Sequence, residues 1–308
     1  MVQKSCSLVW RNTFSEEGAE KATVSGSETA GAISEVLLKG KELESEVIVV
    51  KMPSAVIESD ELLKAAVDNI SVLNMTGASI IIVHDHSESV ERTLDLFGID
   101  KKFYETSKIS DHKTSQLVEM VLSGHINKKI VSALCAVGCN AVGISGKDGN
   151  MIEAKKHVVK SSSKSGILEF GFISEPSVIN PEILINLTEA DFVPVIAPVA
   201  FGADGSTYLL DVNLTASIVA CVTTARHLIL MEDPKNPMVS LGEISIDSLR
   251  KYVKTTENNS ESRGYVEAIA STLQNHAEYV HIVNCMDKDS ILSSIFTEGY
   301  GTKVYLDS

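Results

Sequence analysis

The chain has 308 residues, 44% hydrophobic and 22% charged, with a mean hydropathy of +0.11, a composition that suits two globular domains or one large α/β domain. Asp and Glu number 41 against 27 Lys and Arg, a formal net charge of −14. That charge repels nucleic acid and anionic membrane at long range and argues against a general binder of either.

No uninterrupted apolar run approaches the roughly 18 residues of a membrane-spanning helix. The start, Met1-Val-Gln-Lys-Ser-Cys-Ser-Leu-Val-Trp-Arg11, lacks an apolar stretch followed by small residues and does not read as a signal peptide. Cys6, Cys135, Cys139, Cys221 and Cys285 are odd in number and mostly inside apolar runs. They predict reduced thiols and a cytoplasmic setting.

Residues 1–27 are polar and predict a flexible tail. From Glu28 to Leu43 there is weak helical spacing, interrupted by Gly31 and Gly40. Glu46-Val-Ile-Val-Val-Lys51 is a β-branched run that predicts a buried strand. Leu62, Leu63, Ala66, Val67, Ile70 and Leu73 then share one helical face over Asp60–Asn74, with Gly77 as the stop. Ala78-Ser-Ile-Ile-Ile-Val83 predicts a second buried strand.

The alternation continues to the end of the chain. Helices are expected at Thr114–Leu122, Ile126–Val137, Pro181–Leu187, Asn213–Thr224, Tyr265–Asn275 and Ser290–Thr297. Strands are expected at Ala141–Ile144, Phe192–Ile196, His227–Met231 and His281–Val283. Lys160-Ser-Ser-Ser-Lys-Ser-Gly166 reads as a mobile hairpin loop. Short buried strands between helices predict a mainly parallel sheet covered on both faces, whose ligands bind beyond the carboxyl ends of the strands.

Three such ends carry chemistry. Lys51-Met-Pro-Ser offers a lysine that can hold a phosphate as a point charge, or simply a solvated strand end. His84-Asp85-His86 places two imidazoles after a strand, but no Cys or third His clusters nearby in sequence, so no metal site is expected. Gly143-Ile-Ser-Gly146-Lys147-Asp148-Gly149 lacks P-loop spacing and reads as a turn between two extended pieces. Cys135 and Cys139, four apart in apolar surroundings, read as two buried thiols.

Taken together, these segments resemble N-acetylglutamate kinase, of the amino-acid kinase family. The segments are Leu117–Val131, Ala141–Asp148, Asn180–Leu184, Val193–Val199 and Gly299-Tyr-Gly-Thr302, in family order within a similarity running from about Val47 to Tyr305. The resemblance implies a three-layer α/β sandwich with a mainly parallel central sheet and two lobes. Residues 28–224 would form an N-terminal lobe that binds the acyl amino acid and dimerises, and residues 225–308 a nucleotide-type lobe. ATP and Mg are the family's cofactors. A homodimer through the helices around Thr114–Val137 is expected, on the apolar surface of Val118, Met120, Val121, Ile126, Ile130 and Val131. A hexamer built on an N-terminal helix is the family's larger assembly.

The sequence departs from the family where the resemblance places the chemistry. Lys51 is kept, but the two glycines of Lys-x-Gly-Gly are Pro53 and Ser54. The glycines of His-Gly-Gly-Gly are Asp85, His86 and Ser87. Glycine lets phosphate oxygens approach backbone N–H groups without a Cβ in the way, and Pro53 removes one N–H altogether. The arginine that grips the substrate matches Lys108, which loses the bidentate fork. In Leu209-Leu-Asp-Val-Asn213 the substrate-binding Asn has become Leu209, and the Asp that orients the catalytic lysines has become Asn213. The second catalytic lysine falls at Ala268, and the nucleotide-lobe Thr-Asp reads Glu232-Asp233. The family glutamate that receives inhibitory arginine matches Ser294.

Phosphoryl transfer rests on positioning and charge stabilisation, so these losses predict weak ATP binding and a catalytically silent relative. Such a relative would act as a regulatory or structural partner or bind a small acidic ligand. The alternative is a divergent, active acetylglutamate kinase that uses Lys51, Lys108 and Lys147 in new roles. A third reading gives a new chemistry to His84-Asp85-His86.

Overall fold

The computed structural model describes residues 27–86, 88–99, 112–155, 158–159, 168–169, 173–203, 205–256 and 260–307. The chain divides into two compact units, Met1–Leu38 and Lys39–Ser308. In the first, the described residues belong to the helix Ser27–Glu42, close to the expected Glu28–Leu43. The flexible tail expected over 1–27 lies almost wholly outside the described residues.

The second unit is built on an eight-stranded sheet. Its strands are β1 (Val47–Met52), β2 (Ser79–His84), β3 (Ala141–Ser145), β8 (Val193–Ala197), β11 (His227–Glu232), β12 (Gly242–Ser245), β13 (Tyr279–Asn284) and β14 (Thr302–Tyr305), in spatial order β12-β14-β13-β11-β1-β2-β8-β3. Every neighbouring pair is parallel except β13 with β14. The tight approach to β14 needs glycine, because Gly301 has φ +66 and a Cβ there would stand 2.8 Å from the Ile282 carbonyl.

Both faces of this sheet are covered. Ile48, Val50, Met52, Ile80 and Ile82 pack with Leu63, Ile70, Leu94, Leu122 and Ile130 in one core. The intervening Val49, Ile81 and Val83 pack with Leu184, Ala216, Leu249 and Ile269 in the other. Side chains alternate across a strand, so a continuous β-branched run feeds two cores, giving three layers. The helices of the first core include Asp60–Met75, Glu88–Leu96 and Asn127–Ala136. Those of the second include Glu182–Glu189, Val212–Val222, Ile246–Thr256 and Ser260–Gln274. No described helix is long and apolar enough to cross a membrane.

A smaller closed arrangement joins β4 (Ile152–Lys155), β7 (Ile173–Ile179), β9 (Val199–Gly202) and β10 (Thr207–Leu210) in the order β10-β7-β4-β9. β5 (Val158–Val159) and β6 (Leu168–Glu169) pair antiparallel. They flank the expected hairpin loop Lys160–Gly166, which lies outside the described residues.

Two local expectations are corrected. The break expected at Ser123-Gly-His125 is absent: His112–Glu119 passes through a π-helical segment, Met120–Ile126, into Asn127–Ala136. The wider turn keeps Val121, Leu122, Ile126 and Ile130 buried without interrupting the helix. Of the two thiols expected to be buried, only Cys139 is; Cys135 is exposed near the helix end.

Candidate active site

Parallel strands present their carboxyl ends at one edge of the sheet, and Lys51, His84, Ser145, Ala197, Glu232 and Asn284 end β1, β2, β3, β8, β11 and β13 there or one residue short of it. Register then decides which of them meet. Lys51 pairs with Leu230, so Glu232 stands two residues further along the neighbouring strand on the same face. Lys51 Nζ lies 3.0 Å from Glu232 Oε1 and donates to the Met231 carbonyl at 3.3 Å. The side chains are 5% and 14% exposed. The Tyr265 hydroxyl, from the helix Ser260–Gln274, donates to the same Glu232 Oε1 at 3.3 Å. Burial, and then the neighbouring Glu232, raise the Tyr265 hydroxyl well above its ordinary range.

Beyond Lys51 the backbone starts a new helix. Pro53 is buried with φ −79 and ψ 163, and its carbonyl accepts from Val56 and Ile57 N–H to open the helix Ser54–Glu58. Asp85 N donates to Met52 O at 2.9 Å and extends the β1–β2 ladder. The Asp85 carboxylate accepts from His86 N at 2.7 Å, and the two side chains meet at 3.1 Å through His86 Nδ1. Burial pushes the Asp85 carboxyl up, but His86 and then Lys51 outweigh it and hold it below the usual carboxylate range.

His84 occupies the other parity of β2, with Ile80 and Ile82, and so does not share the face of Lys51. It is fully buried, its Nδ1 is 2.9 Å from the Asp85 carbonyl, and its Nε2 has no hydrogen-bond partner among the described residues. Burial pushes its imidazole down to about 4.

The remaining sequence candidates do not converge on Lys51. Leu209, on β10, is buried in the first apolar core. Asp211, between Leu209 and Asn213, is exposed and caps the helix Val212–Val222 by accepting from Leu214 N at 2.7 Å. Asn213 Oδ1 is buried with no hydrogen-bond partner among the described residues. Ala268 is buried in the helix Ser260–Gln274, and Thr272 one turn on bonds both the Ala268 and Ser217 carbonyls. Asp233 is exposed and accepts from Lys235 N in its own turn. Ser87 and Lys108 lie outside the described residues.

Lys147 leaves the turn after β3 and is engaged elsewhere. It lies 2.8 Å from each Glu119 carboxylate oxygen and 2.7 Å from Thr207 Oγ1. The turn itself needs Gly146, because a Cβ there would stand 2.6 Å from the Val199 carbonyl. The sequence reading missed Glu232 as the partner of Lys51, Tyr265 as a second partner of Glu232, and Glu119 as the partner of Lys147. A carboxylate at the end of a neighbouring strand was the available signal for the first.

A separate cavity of about 470 Å³ lies where β11 and β13 begin, lined by Lys39, Arg226, His227, Tyr279, Ser294 and Lys303 among others. His227 Nδ1 and His281 Nε2 are 3.2 Å apart in its buried wall. Burial pushes His227 down to about 4 and His281 well below its ordinary value.

Known proteins agree with this architecture. The chain is 32% identical to the acetylglutamate kinase of Archaeoglobus fulgidus over 276 residues, covering 86% of this chain and 94% of that one. It is 32% identical to that of Aquifex aeolicus over 293 residues, covering 91% and 98%. In fold it is similar to N-acetylglutamate synthase from Neisseria gonorrhoeae complexed with coenzyme A and N-acetyl-glutamate, with a TM-score of 0.72 at 17% identity. That match covers 91% of this chain, which spans only 64% of the synthase. It is also similar to carbamate kinase from Giardia lamblia bound to AMP-PNP, with a TM-score of 0.59 at 13% identity, covering 85% of this chain and 99% of that one. The model of the amino acid kinase family matches residues 46–284, and the chain belongs to that family.

Proposed function

We propose that this chain is a catalytically silent, acetylglutamate-kinase-like member of the family, acting as a regulatory or structural partner or as a binder of a small acidic ligand. The observation that carries the reading is at Leu209 and Asn213. Where the family resemblance puts a substrate-gripping amide, an apolar side chain is sealed in the core, and where it puts a lysine-orienting carboxylate, an amide oxygen is left without a partner among the described residues. An amide cannot supply the missing negative charge. Ala268 offers no cation for a transferring phosphoryl group.

The residues present do not fit ATP and Mg. A buried proline ring and a helix start replace the first glycine pair. Asp85 brings a carboxylate toward the γ-phosphate position, a repulsion of about 4 kcal/mol per charge pair at 4 Å and an effective dielectric near 20. Calorimetric titration with Mg·ATP and with N-acetylglutamate, separately, tests this. The expected Mg·ATP dissociation constant is weaker than about 1 mM, and micromolar binding of both ligands would contradict the reading.

The alternative is an active, divergent acetylglutamate kinase serving arginine biosynthesis. It draws support from Lys51 at the end of β1 and from relatives of that name matched over 94% and 98% of their length. Two lobes meeting near Thr224, and a homodimer, remain part of the proposal under either reading.

A further inference from the structure

We infer that Glu232 is an internal anion that holds Lys51 in the manner of a phosphate oxygen, and so closes the carboxyl ends of β1 and β11 to polyphosphates. The inference rests on the silent reading above and names the contact that enforces it.

Placement comes first. β1 and β11 are adjacent and parallel, and their register sets Lys51 and Glu232 diagonally on one face. An ammonium has three N–H donors; one meets Glu232 Oε1 at 3.0 Å and another the Met231 carbonyl at 3.3 Å. Both side chains are largely buried, at 5% and 14% exposure, so water and salt screen the pair weakly. The carboxylate is also held from the far side, where Tyr265 donates to the same oxygen at 3.3 Å. Asp85 acts on Lys51 electrostatically from β2 and adds a second negative charge at the same cation.

An incoming phosphate oxygen would therefore have to displace a buried carboxylate that is fixed on two sides. Lys51 precedes Thr224 in the chain, whereas Glu232 and Tyr265 follow it, so the contact also ties together the two proposed lobes.

Tripolyphosphate, titrated calorimetrically into the full chain with and without Mg, is the test. The wild type should show a dissociation constant weaker than about 1 mM. Glu232→Gln, which keeps the shape but loses the charge, should bind at least about tenfold tighter, and Glu232→Asp should stay like the wild type. Adding Lys51→Met to Glu232→Gln should abolish the gain. Folded Glu232→Gln that binds no better than wild type, or a gain that survives Lys51→Met, overturns the inference.

If Glu232→Gln fails to fold, Tyr265→Phe replaces it, read by the acylation rate of Lys51 with a water-soluble acetylating reagent. A several-fold faster rate than in the wild type supports the latch, and an unchanged rate overturns it. Acetylglutamate-dependent turnover by the wild type would put ATP at Lys51 and defeat both the silent reading and this inference, whereas a silent wild type whose folded Glu232→Gln binds no tighter defeats the inference alone.

Discussion

His84 is an imidazole placed where charging it is costly. Its Nδ1 is engaged with the Asp85 carbonyl, its Nε2 meets no acceptor among the described residues, and burial drives it down to about 4. A folded-state value below the unfolded one near 6.5 means that the unfolded chain binds more protons between those limits. Stability is therefore full above about pH 6.5 and declines toward pH 4, by roughly 3 kcal/mol for this group alone. His227 and His281 are shifted in the same direction by burial. Urea unfolding at pH 7 and pH 4.5 should show the decline, and His84→Gln should lessen it. An identical pH dependence in the variant would contradict this account of His84. The Lys51–Glu232 contact has its own stability signature. Lys51→Met leaves a largely buried carboxylate without its cation and should cost about 3 kcal/mol, whereas Lys51→Met with Glu232→Gln should cost less. Equal losses by urea titration would mean that the two side chains are not coupled.

Among helices, the one through the π segment shows how far local pattern reaches. Val118, Val121, Ile126 and Ile130 suggested spare apolar surface, but all four are buried in the chain's own core, and Met120 is the member of that set left strongly exposed, at 68%. The expected homodimer then depends on the outer stripe of Gln116, Met120, Gly124, Lys128 and Ser132, which are exposed at helical spacing. A Cβ at Gly124 would meet nothing within 4 Å, so Gly124→Arg should leave the fold intact. Light scattering should give a dimer for the wild type at micromolar concentration and a monomer for Gly124→Arg; a monomeric wild type would remove the interface. Strands divide in the same way. β1, β2, β8, β11 and β13 were legible because burial on both faces requires unbroken apolar runs. β4, β7, β9 and β10 were not: they are short, β4 carries a bulge between Glu153 and Ala154, and their closure joins distant segments. Lys51 and His84 were legible as strand ends. The pairing of Lys51 with Glu232 was not, because it crosses 181 residues and depends on β1 lying beside β11.

For the molecule as a whole, membership of the amino acid kinase family accounts for the architecture, and the proposed silent function rests on the positions where the chain departs from the family resemblance. The two lysines best placed to grip an anion, Lys51 and Lys147, each carry a carboxylate of the protein itself, Glu232 and Glu119. The cavity at the other end of β11 and β13 carries Ser294 where the resemblance expects an arginine-receiving glutamate, and the Ser294 hydroxyl donates to the Ile291 carbonyl. A ligand that binds the native state raises its melting temperature, so L-arginine at millimolar concentration should leave the melting temperature unchanged. A concentration-dependent rise would restore arginine as a ligand. Restoring glycine at Pro53 or Asp85 singly should not produce a kinase, since position 213 stays uncharged. The decisive assay is coupled ADP release by the purified chain with Mg·ATP and N-acetylglutamate. The silent reading predicts no acetylglutamate-dependent rate above background, and clear turnover that rises and saturates with N-acetylglutamate would contradict it.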